Sequence, residues 1–447
     1  MLKALSDEEQ ASETISSHPG SGASISRGAA LWATIMLSMV GLLAAVDRNI
    51  LSLLLVPIKH DLKVSDSAMG ALTGTVFALV YSITALPMAR LADRTSRRNL
   101  IVAAVAFWSA MTAVCGLAGN YVQLLIARMG VGIGEAPSGP ATMSMIGDLY
   151  PAHRRGVAIS ILTIGSALGF ALGAYVSGVL NDHYGWHVAM MAVGAPGLVL
   201  AALIWLTVPE PVRGAHDGGV APDPDAASVW RSLRNIFRTP TVAPLLLGMI
   251  FLNVAFLGWL NWLPAFLMRA HHLTTTQMSA IFGVVIGIGG VLANVVAGFA
   301  SDWVARRGTR WRMYYCCAMT VLAVPPLVAA LLLKETTLAV LCMCAFTLAA
   351  GGLTTVTGAS VLSIARPGQR AFMSAVFGLA VSILGAGAGP WIIGATNDAL
   401  KGAYGELAIR YSLLLIPAML ALSGVMFLWA SRTIDRDAAA SVKSRGA

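Results

Sequence analysis

The chain has 447 residues, of which 57% are hydrophobic and only 11% are charged, and its formal net charge is +9. Soluble proteins carry a charge on about a quarter of their residues, so this composition excludes an ordinary soluble enzyme or binding domain. The basic residues stand mainly in short segments between apolar blocks, which is a topology signal of membrane proteins rather than a nucleic-acid-binding face. The composition therefore indicates an integral protein of a lipid bilayer, with no nucleic acid as a partner.

Residues 1–28 are polar and rich in serine, without the basic and then apolar opening of a signal peptide, so we interpret them as a disordered cytoplasmic tail. The apolar segments that follow are long enough to be membrane-spanning helices, which need about 20 residues. Numbered in chain order, spans 1–6 are predicted at 29–55, 69–91, 100–117, 122–146, 157–180 and 188–208. Spans 7–12 are predicted at 242–267, 278–300, 313–333, 338–364, 371–395 and 413–430.

Residues 209–240 separate the two sets of spans. The stretch from His216 to Asp225 is rich in glycine, proline and aspartate, which is typical of a flexible linker. After it, apolar and basic residues recur at helical spacing, which predicts a short amphipathic helix lying either in the headgroup layer or against the protein. The apolar positions are Val229, Trp230, Leu233, Ile236 and Phe237, and the basic ones are Arg231, Arg234 and Arg238. We therefore expect a bundle at 29–208, the linker, a bundle at 241–431 and a cytoplasmic tail at 432–447.

The lysines and arginines predict the orientation. Of the 30 in the chain, six would lie in one set of loops and two within spans, and all the others would lie on the side that holds both termini. Short loops with an excess of Lys and Arg stay in the cytoplasm. We therefore expect a multi-pass protein of the cell membrane with both termini cytoplasmic.

The two sets of six spans echo each other in sequence. Acidic and basic residues follow span 2 and span 8, a pair of glycines four apart recurs in spans 5 and 11, and a Pro-x-x-Arg motif follows spans 4 and 10. The positions are Asp93, Arg97 and Arg98 with Asp302, Arg306 and Arg307; Gly165 and Gly169 with Gly385 and Gly389; and Pro151 and Arg154 with Pro367 and Arg370. This order predicts an internal duplication, which places a transport site between the repeats near the bilayer midplane.

The loop Asp93-Arg94-x-x-Arg97-Arg98 resembles the loop signature of the major facilitator superfamily, and Arg128-x-x-x-Gly132-x-Gly134 resembles the motif of its fourth helix. Asp47-Arg48-Asn49, the run from Gly132 through Glu135 to Pro140, and Asp148-x-x-Pro151 are similar to the spinster-like group of that superfamily. The resemblance covers residues 45–210 well. It implies an all-α integral membrane fold of twelve transmembrane helices, in two pseudo-symmetric six-helix bundles that alternately open one central cavity.

Four charged residues fall inside the first six spans, where insertion costs about 2.5–3.5 kcal/mol at a helix centre. Asp47 and Arg48 are in span 1, and Arg128 and Glu135 are in span 4. The resemblance implies that both spans line the cavity, so we expect Asp47 to pair with Arg128, and Glu135 to load and release a proton near the midplane. Arg48 is expected to serve packing or a substrate headgroup. The alternative is a static buried ion network.

Charged residues after the spans form a second candidate site. By resemblance, Asp93 meets the start of span 11 and Asp302 the start of span 5, because a carboxylate attracts the positive N-terminus of a helix. These links would latch the cytoplasmic side when the cavity opens outward. The same network would include Arg97, Arg98, Asp148, Arg154 and Arg306. The alternative is a basic loop with incidental acids.

The second half has no charge inside its spans, so its cavity wall is predicted from polar and aromatic residues. The candidates are Asn253, Trp259, Asn261 and Trp262 in span 7, with Thr354, Thr355 and Thr357 in span 10. Such a wall suits an acyl chain better than a sugar, which favours an amphiphilic substrate.

The remaining motifs favour packing over chemistry. The five cysteines show neither a disulfide framework nor the spacing of metal ligands, so we expect no metal site. Several glycines in spans 4 and 5 imitate a dinucleotide-binding loop or a small-residue stripe, and we expect them to let helices pack closely. They are Gly130, Gly132, Gly134, Gly165, Gly169 and Gly173.

The function predicted from these features is proton-coupled secondary transport of an amphiphilic, lipid-like small molecule by a monomer, with no cofactor other than the proton. The alternative is a carrier of small organic anions or sugar acids. A membrane-embedded enzyme would need a nucleophile–base pair or metal ligands in its spans, and a sensor would need a sizeable soluble domain. The sequence shows neither, so we predict that the protein is not an enzyme.

Overall fold

The computed structural model describes residues 25–214, 233, 234, 236–365 and 370–443. Every regular element in these residues is a helix. In the first half, span 1 is Arg27–Leu53, followed by the short helix Leu55–Leu62. Span 2 runs through Asp66–Gly70, Ala71–Val76 and Phe77–Arg94, span 3 is Arg97–Cys115, and span 4 is divided into Tyr121–Glu135 and Ser138–Leu149. Spans 5 and 6 both lie in Ala152–Thr207, where the chain turns at Gly185 with φ 80°, a conformation that favours glycine.

The second half begins with span 7 at Val242–Ala270. Span 8 runs through Thr275–Phe282, Gly283–Ile288 and Gly289–Ala305, span 9 is Thr309–Leu332, and span 10 is divided into Thr336–Ala350 and Leu353–Ile364. Span 11 runs through Arg370–Ala380, Val381–Gly387 and Ala388–Tyr404, and the turn Gly405–Leu407 follows it. Span 12 comprises Ala408–Ser412 and Leu415–Ala430, and the segment predicted as a tail contains the helix Ile434–Lys443.

Nine helical runs of the described residues are long and apolar enough to cross a membrane. Two of them, Ala152–Thr207 and Phe372–Ala430, are long enough for two spans each, at 56 and 59 residues. Span 4, at Tyr121–Glu135 and Ser138–Leu149, is not among the nine. The helices therefore agree with the twelve-span, all-α arrangement.

Glycines bring the helices of the first half into close contact, as predicted. A Cβ atom at Gly165 or Gly169 of span 5 would overlap the main chain of Ser38 or Leu42 in span 1. A Cβ at Gly134 of span 4 would lie 2.9 Å from the main-chain nitrogen of Trp108 in span 3. Spans 1 and 5 therefore form one tightly packed pair, and spans 3 and 4 form another.

The two ends of the bundle differ. We call the end that carries Arg27 and the helix Ile434–Lys443 the termini face, and the end that carries Leu55–Leu62 the opposite face. The halves contact each other mainly where span 5 meets Thr275–Ile288 and where Asp66–Val76 meets Ala388–Tyr404. These segments extend from the opposite face toward the bilayer middle, so the molecule is closed at the opposite face.

Some of the predicted features lie outside the described residues. They are residues 1–24 of the N-terminal tail, His216 to Asp225, Val229, Trp230 and Arg231 of the linker, and Pro367 of the second Pro-x-x-Arg motif. Of the predicted amphipathic helix, Ile236 is 3% exposed and belongs to the hydrophobic core, whereas Phe237 is 50% exposed. The helix Ile434–Lys443 packs on the second half, where Asp437 accepts hydrogen bonds from the main-chain nitrogen and the hydroxyl of Thr241, at 3.1 and 2.7 Å.

Candidate functional site

Arg48 and Glu135 form an ion pair between spans 1 and 4. The Nε of Arg48 donates a hydrogen bond to Oε1 of Glu135 at 2.5 Å, and its Nη2 contacts the same oxygen. The Glu135 side chain is 1% exposed, whereas that of Arg48 is 48% exposed because it lines a cavity. The Arg48 guanidinium also lies over the Tyr81 ring, 5.5 Å from its centroid. The expectation for Arg48 is therefore corrected in one respect, since it pairs with Glu135, and its contact with a substrate headgroup stays a prediction.

The predicted side-chain pair between Asp47 and Arg128 is also corrected. Nη1 of Arg128 donates to the main-chain carbonyl oxygen of Asp47 at 3.1 Å. The Asp47 carboxylate is buried and turned toward span 3, where Thr112 and Trp108 are its neighbours. Adjacent residues of a helix point about 100° apart, so when residue 48 faces Glu135, residue 47 cannot face span 4 as well.

A cavity of about 360 Å³ lies between the two halves. Its first-half wall carries the guanidinium groups of Arg48 and Arg128, and Arg128 stacks over Phe77 with 4.5 Å to the ring centroid. Its second-half wall is mostly apolar and is made by Phe256, Leu257, Leu260, Asn261, Ser382 and Ala386. The cavity is therefore cationic on one side and apolar on the other.

A second cavity of about 370 Å³ lies within the first half, between spans 1, 2, 4 and 5. It borders Glu135 and shares Arg48, Tyr81 and Phe170 with the central cavity. The Arg48–Glu135 pair thus stands at the junction of the two spaces. The aromatic residues around it were not predicted, because their positions in spans 2 and 5 carry no charge or motif that separates them from core residues.

The second-half candidates divide into wall residues and core residues. Asn261 lines the central cavity, and its Oδ1 accepts a hydrogen bond from the Ser52 hydroxyl of span 1 at 2.6 Å. Trp259 and Trp262 are fully buried, and Trp259 packs edge-on against Phe346 at 5.4 Å between centroids. The indole N–H of Trp262 donates to the main-chain oxygen of Pro390 at 2.8 Å. Both tryptophans are thus turned into their own bundle, which corrects their assignment to the cavity.

The other predicted wall residues are not among those that line the central cavity. Nδ2 of Asn253 donates to the main chain of its own helix, at Met249. Thr354 and Thr355 are exposed, and the Thr355 hydroxyl donates to Asn294 of span 8 at 3.1 Å. Thr357 is fully buried and bonded to its own helix. Span 10 therefore contributes no side chain to the lining described above.

At the opposite face, two aspartates close the gap between the halves by capping helices across it. Asp398 at the end of span 11 accepts hydrogen bonds from the main-chain nitrogens of Asp66 and Ser67, at 2.9 and 2.7 Å, which begin span 2. Asp182 at the end of span 5 accepts one from the nitrogen of Thr276, at 2.7 Å, in the first turn of span 8. A carboxylate at a helix N-terminus is stabilising, so each cap holds one half to the other.

Asp66 adds an ion pair to this closure. Its carboxylate accepts two hydrogen bonds of 2.8 Å from the Arg269 guanidinium at the end of span 7, and Lys59 lies 2.7 Å away. The caps were missed although the sequence carries a signal for them. An Asn-Asp pair occurs at 181–182 and again at 397–398, at the same separation in the chain as Pro151 and Pro367.

At the termini face, Arg97 is the centre of a network within the first half. Its side chain is 1% exposed and is paired with Asp148 at the end of span 4 and with Glu210, at 3.1 Å, after span 6. Glu210 also accepts hydrogen bonds from the main-chain nitrogens of Arg97 and Arg98, at 3.2 and 2.7 Å. Burial raises the pKa of Glu210, but hydrogen bonds from Ser96 and these residues outweigh it, so that the pKa lies below its ordinary value.

Comparison with known proteins decides the family. The sequence model of the Major Facilitator Superfamily matches residues 37–390. The chain belongs to the Major Facilitator Superfamily. It is 32% identical over 411 residues to an MFS-type efflux pump of Mycolicibacterium smegmatis, covering 91% of this chain and 94% of that protein. It is 26% identical over 430 residues to the sphingosine-1-phosphate transporter SPNS2 of Danio rerio, covering 91% and 85%.

A solved structure has a similar fold. It is a bacterial homolog of the human lysosomal transporter Spinster in an inward-facing, unoccupied conformation, and it matches with a TM-score of 0.85 and 26% identity over 92% of this chain and 99% of that one. These similarities confirm the spinster-like resemblance. They also show that this member of the Major Facilitator Superfamily is a membrane transporter and not an enzyme.

The superfamily latch predicted between the halves stays a prediction. The backbone of Asp93 lies in the helix Phe77–Arg94, and its side chain is outside the described part of the protein. Asp302, Arg306 and Arg154 are all exposed. Arg97, Arg98 and Asp148 join only elements of the first half. No group of three or more His, Cys, Asp or Glu residues in the described ranges is arranged to hold a metal.

Proposed function

We propose that the protein is a proton-coupled secondary transporter that carries an amphiphilic, lipid-like small molecule across the cell membrane by alternating access, with both termini in the cytoplasm. The observation that carries the proposal is the Arg48–Glu135 pair at the junction of the two cavities. One partner is buried and titratable, and the other is a fixed cation that reaches the substrate space.

Protonation and substrate binding would be linked through Arg48. While Glu135 is ionised, it holds the guanidinium and neutralises it. When Glu135 takes up a proton, the charge-assisted bonds weaken, and the cation becomes available to an anionic headgroup in the central cavity. Protonation of Glu135 thus favours the state in which Arg48 can bind the substrate. Proton and substrate therefore shift the same conformational equilibrium.

The shape of the cavity supports an amphiphile. An anionic or polar headgroup would lie against Arg48 and Arg128, and a hydrocarbon chain would lie against Phe256, Leu257 and Leu260 of the second half. Each methylene that is buried on binding contributes about 0.8 kcal/mol to the binding free energy. A long hydrocarbon chain therefore contributes more to affinity than a small headgroup does. The name of the zebrafish relative, a sphingosine-1-phosphate transporter, is consistent with such a ligand.

A carrier of small organic anions or sugar acids is the second candidate. The two guanidinium groups in the central cavity favour it, because Arg binds carboxylates in a bidentate manner. A probable L-galactonate transporter of Escherichia coli is 29% identical over 289 residues, which cover 62% of each chain.

Two cavity variants distinguish these candidates. Arg48→Ala removes the proposed headgroup contact and should weaken the binding of either ligand class. Leu257→Asn makes the apolar wall polar and should weaken the binding of a long-chain lysophospholipid only. The measurement is the ligand-induced thermal shift of the purified transporter, with a lysophospholipid and with galactonate as the two probes.

The result expected for an amphiphile carrier is a thermal shift with the lysophospholipid that both variants reduce, and none with galactonate. A shift with galactonate that Arg48→Ala removes and Leu257→Asn leaves unchanged would instead establish the sugar-acid carrier. Leu422→Asn, at an exposed position of span 12 outside the cavity lining, is the matched control for the effect of a polar residue on a span.

A further inference from the structure

A groove of about 660 Å³ lies at the termini face, between Arg27 of span 1, Tyr150 at the end of span 4 and Arg154 of span 5. We call it the termini groove. Its volume is in the range of about 300–1,000 Å³ that is typical of ligand sites in proteins. It shares no lining residue with either of the two cavities beside Arg48. The groove is therefore distinct from the space proposed for the transport substrate.

Three basic side chains line the termini groove, and no described residue neutralises them. They belong to Arg27, His153 and Arg154, and all three residues are exposed. Within the described part of the chain, these side chains have no hydrogen-bond or ion-pair partner, and no carboxylate is among the residues that line the groove. Arg154, which was predicted to join the latch, thus lines the groove in this conformation. The groove is therefore suited to an anion.

On two helices of the groove, apolar residues follow the basic residue toward the bilayer middle. On span 1, Arg27 is followed by Leu31, which is 48% exposed. On span 5, Arg154 is followed by Val157, which is 67% exposed, and by Ile161. Residues three and four apart share one face of a helix, so each helix presents first a cation and then an apolar strip. A phospholipid has the same order, because its phosphate lies at the bilayer surface and its acyl chains lie deeper.

Trp32 marks the depth of the groove in the bilayer. Its indole N–H donates a hydrogen bond of 2.9 Å to the hydroxyl of Thr207 at the end of span 6, and the residue is 41% exposed. Tryptophan is enriched where a bilayer meets water. Arg27 lies about 7.5 Å nearer the termini face along the same helix. The basic end of the groove therefore lies at the level of lipid headgroups, and its apolar part lies at the level of the first acyl-chain carbons.

We propose that the termini groove binds an anionic phospholipid of the cytoplasmic leaflet, with its phosphate against Arg27 and Arg154 and its acyl chains along spans 1 and 5. Arginine binds phosphate through paired N–H donors, and basic pockets between membrane helices on the cytoplasmic side suit anionic headgroups. The choice of leaflet rests on the proposed orientation, with both termini in the cytoplasm. The binding of the lipid does not depend on transport.

The N-terminal segment fits the groove less well than a lipid. Residues 1–24 lie outside the described structure, and four acidic residues between positions 7 and 13 give them a suitable charge. Residues 14–24, which precede the groove in the chain, are almost all small or polar, and Ile15 is the one large aliphatic residue among them. That stretch offers little apolar surface to cover Leu31 and Val157, whereas acyl chains offer much.

The test is native mass spectrometry of the full-length protein, titrated with phosphatidylglycerol and with phosphatidylcholine of the same acyl chains. The wild type should bind phosphatidylglycerol more tightly. A basic residue near a lipid headgroup contributes about fivefold to affinity, so Arg27→Gln and Arg154→Gln should each weaken this binding by about that factor. Arg94→Gln is the matched control, because Arg94 is exposed at the end of span 2 but does not line the groove. It should bind like the wild type.

A second pair of variants separates a whole lipid from a free phosphate. Val157→Asn makes the apolar part of the groove polar and should weaken the binding of phosphatidylglycerol. Val199→Asn, at an exposed position of span 6 outside the groove, is its control. Glycerol phosphate carries the headgroup without the chains and should compete only weakly. Competition at the concentration of the lipid, unchanged in Val157→Asn, would identify a site for free anions and overturn the lipid assignment.

Three further results would overturn the inference. The first is equal affinity of the wild type, Arg27→Gln and Arg154→Gln for phosphatidylglycerol, and the second is loss of the lipid in Arg48→Ala, which would assign it to the central cavity. The third is much tighter binding when the acidic residues at positions 7–13 are replaced by amides, which would place that segment in the groove. A wild-type protein that binds the lipid but ignores a pH gradient would refute the proposed coupling and leave this site standing.

Discussion

The carboxylate of Glu135 accepts both contacts of the Arg48 guanidinium, and Glu135 is buried while Arg48 lines the central cavity. The packing of span 1 against span 5 produces this pair. Its glycine-lined contact with span 5 fixes how span 1 is rotated, and that rotation turns residue 48, rather than residue 47, toward span 4. The pair therefore depends on helix packing as much as on the charges themselves.

A double-mutant cycle tests the Arg48–Glu135 pair. Arg48→Ala should destabilise the protein strongly, because removing one partner of a buried ion pair costs about 3–5 kcal/mol, somewhat less here since Arg48 is half exposed. Glu135→Ala in the same background should restore part of that loss, with a coupling energy above about 0.5 kcal/mol. The free energy of unfolding of the four proteins is the measurement. The matched cycle with Asp47→Ala and Arg128→Ala should show weaker coupling, since Arg128 bonds the Asp47 main chain.

The two carboxylate caps at the opposite face should control which side of the transporter is open. Asp398→Asn and Asp182→Asn remove a charge from a helix N-terminus, an interaction of about 0.3–1 kcal/mol. Each change should shift the population away from the described conformation by up to about fivefold. Distances between spin labels at Val122 and Leu338, exposed positions near the opposite face of each half, report the shift.

Glu335→Gln is the control for the caps. Its carboxylate caps the first turn of span 10, at Thr337 and Leu338, but within the second half alone. It should lower stability without changing the distance distribution. A change in Glu335→Gln as large as that in Asp398→Asn would show that the caps act through helix stability and not through closure between the halves.

The Glu210 network should make stability depend on pH in the acidic range. The folded-state pKa of Glu210 is lowered, so its stabilising contribution is present above the unfolded-state pKa and is lost as the pH falls through the folded-state value. Glu210→Gln should lower the melting temperature at neutral pH. The difference in melting temperature between the variant and the wild type should disappear as the pH falls below the ordinary pKa of a glutamate. A difference that stays constant with pH would contradict the charge interaction with Arg97.

Two aromatic residues three positions apart on span 7 should behave differently. Trp259 is fully buried against Phe346, so Trp259→Ala should cost about 3–5 kcal/mol of stability while the protein that remains folded keeps its ligand affinity. Phe256 lines the central cavity, so Phe256→Ala should weaken amphiphile binding with a smaller loss of stability. Thermal unfolding with and without lysophospholipid measures both effects, and a reversed pattern would mean that span 7 is rotated differently.

Much of the architecture could be predicted from the sequence. Hydropathy placed most span ends within about five residues of the described helices, whereas span 11, predicted to end at residue 395, continues to Tyr404. The repeated motifs indicated two related halves. The four charged residues of spans 1 and 4 were identified because charge inside an apolar helix is costly and therefore conspicuous. These features depend on local composition, which a sequence displays directly.

The partners of those charges could not be predicted, because pairing depends on the rotation of each helix. A single residue step turns a side chain by about 100°, which is enough to exchange Asp47 for Arg48 at span 4. The same uncertainty placed Trp259 and Trp262 on the cavity wall instead of in the core. The caps by Asp182 and Asp398 were missed because they join helices that are far apart in the chain, although the repeated Asn-Asp pair marked both positions.

The most direct test of the account is transport by Glu135→Gln in proteoliposomes under an imposed pH gradient. Glutamine has the shape of the protonated acid and cannot exchange the proton, so the variant should bind the substrate and exchange it between the two sides but should no longer respond to the gradient. Wild-type protein in the same vesicles should accumulate or expel the substrate in proportion to the gradient. Gradient-driven transport by Glu135→Gln at the wild-type level would contradict the central claim that this carboxyl group couples the proton to the substrate.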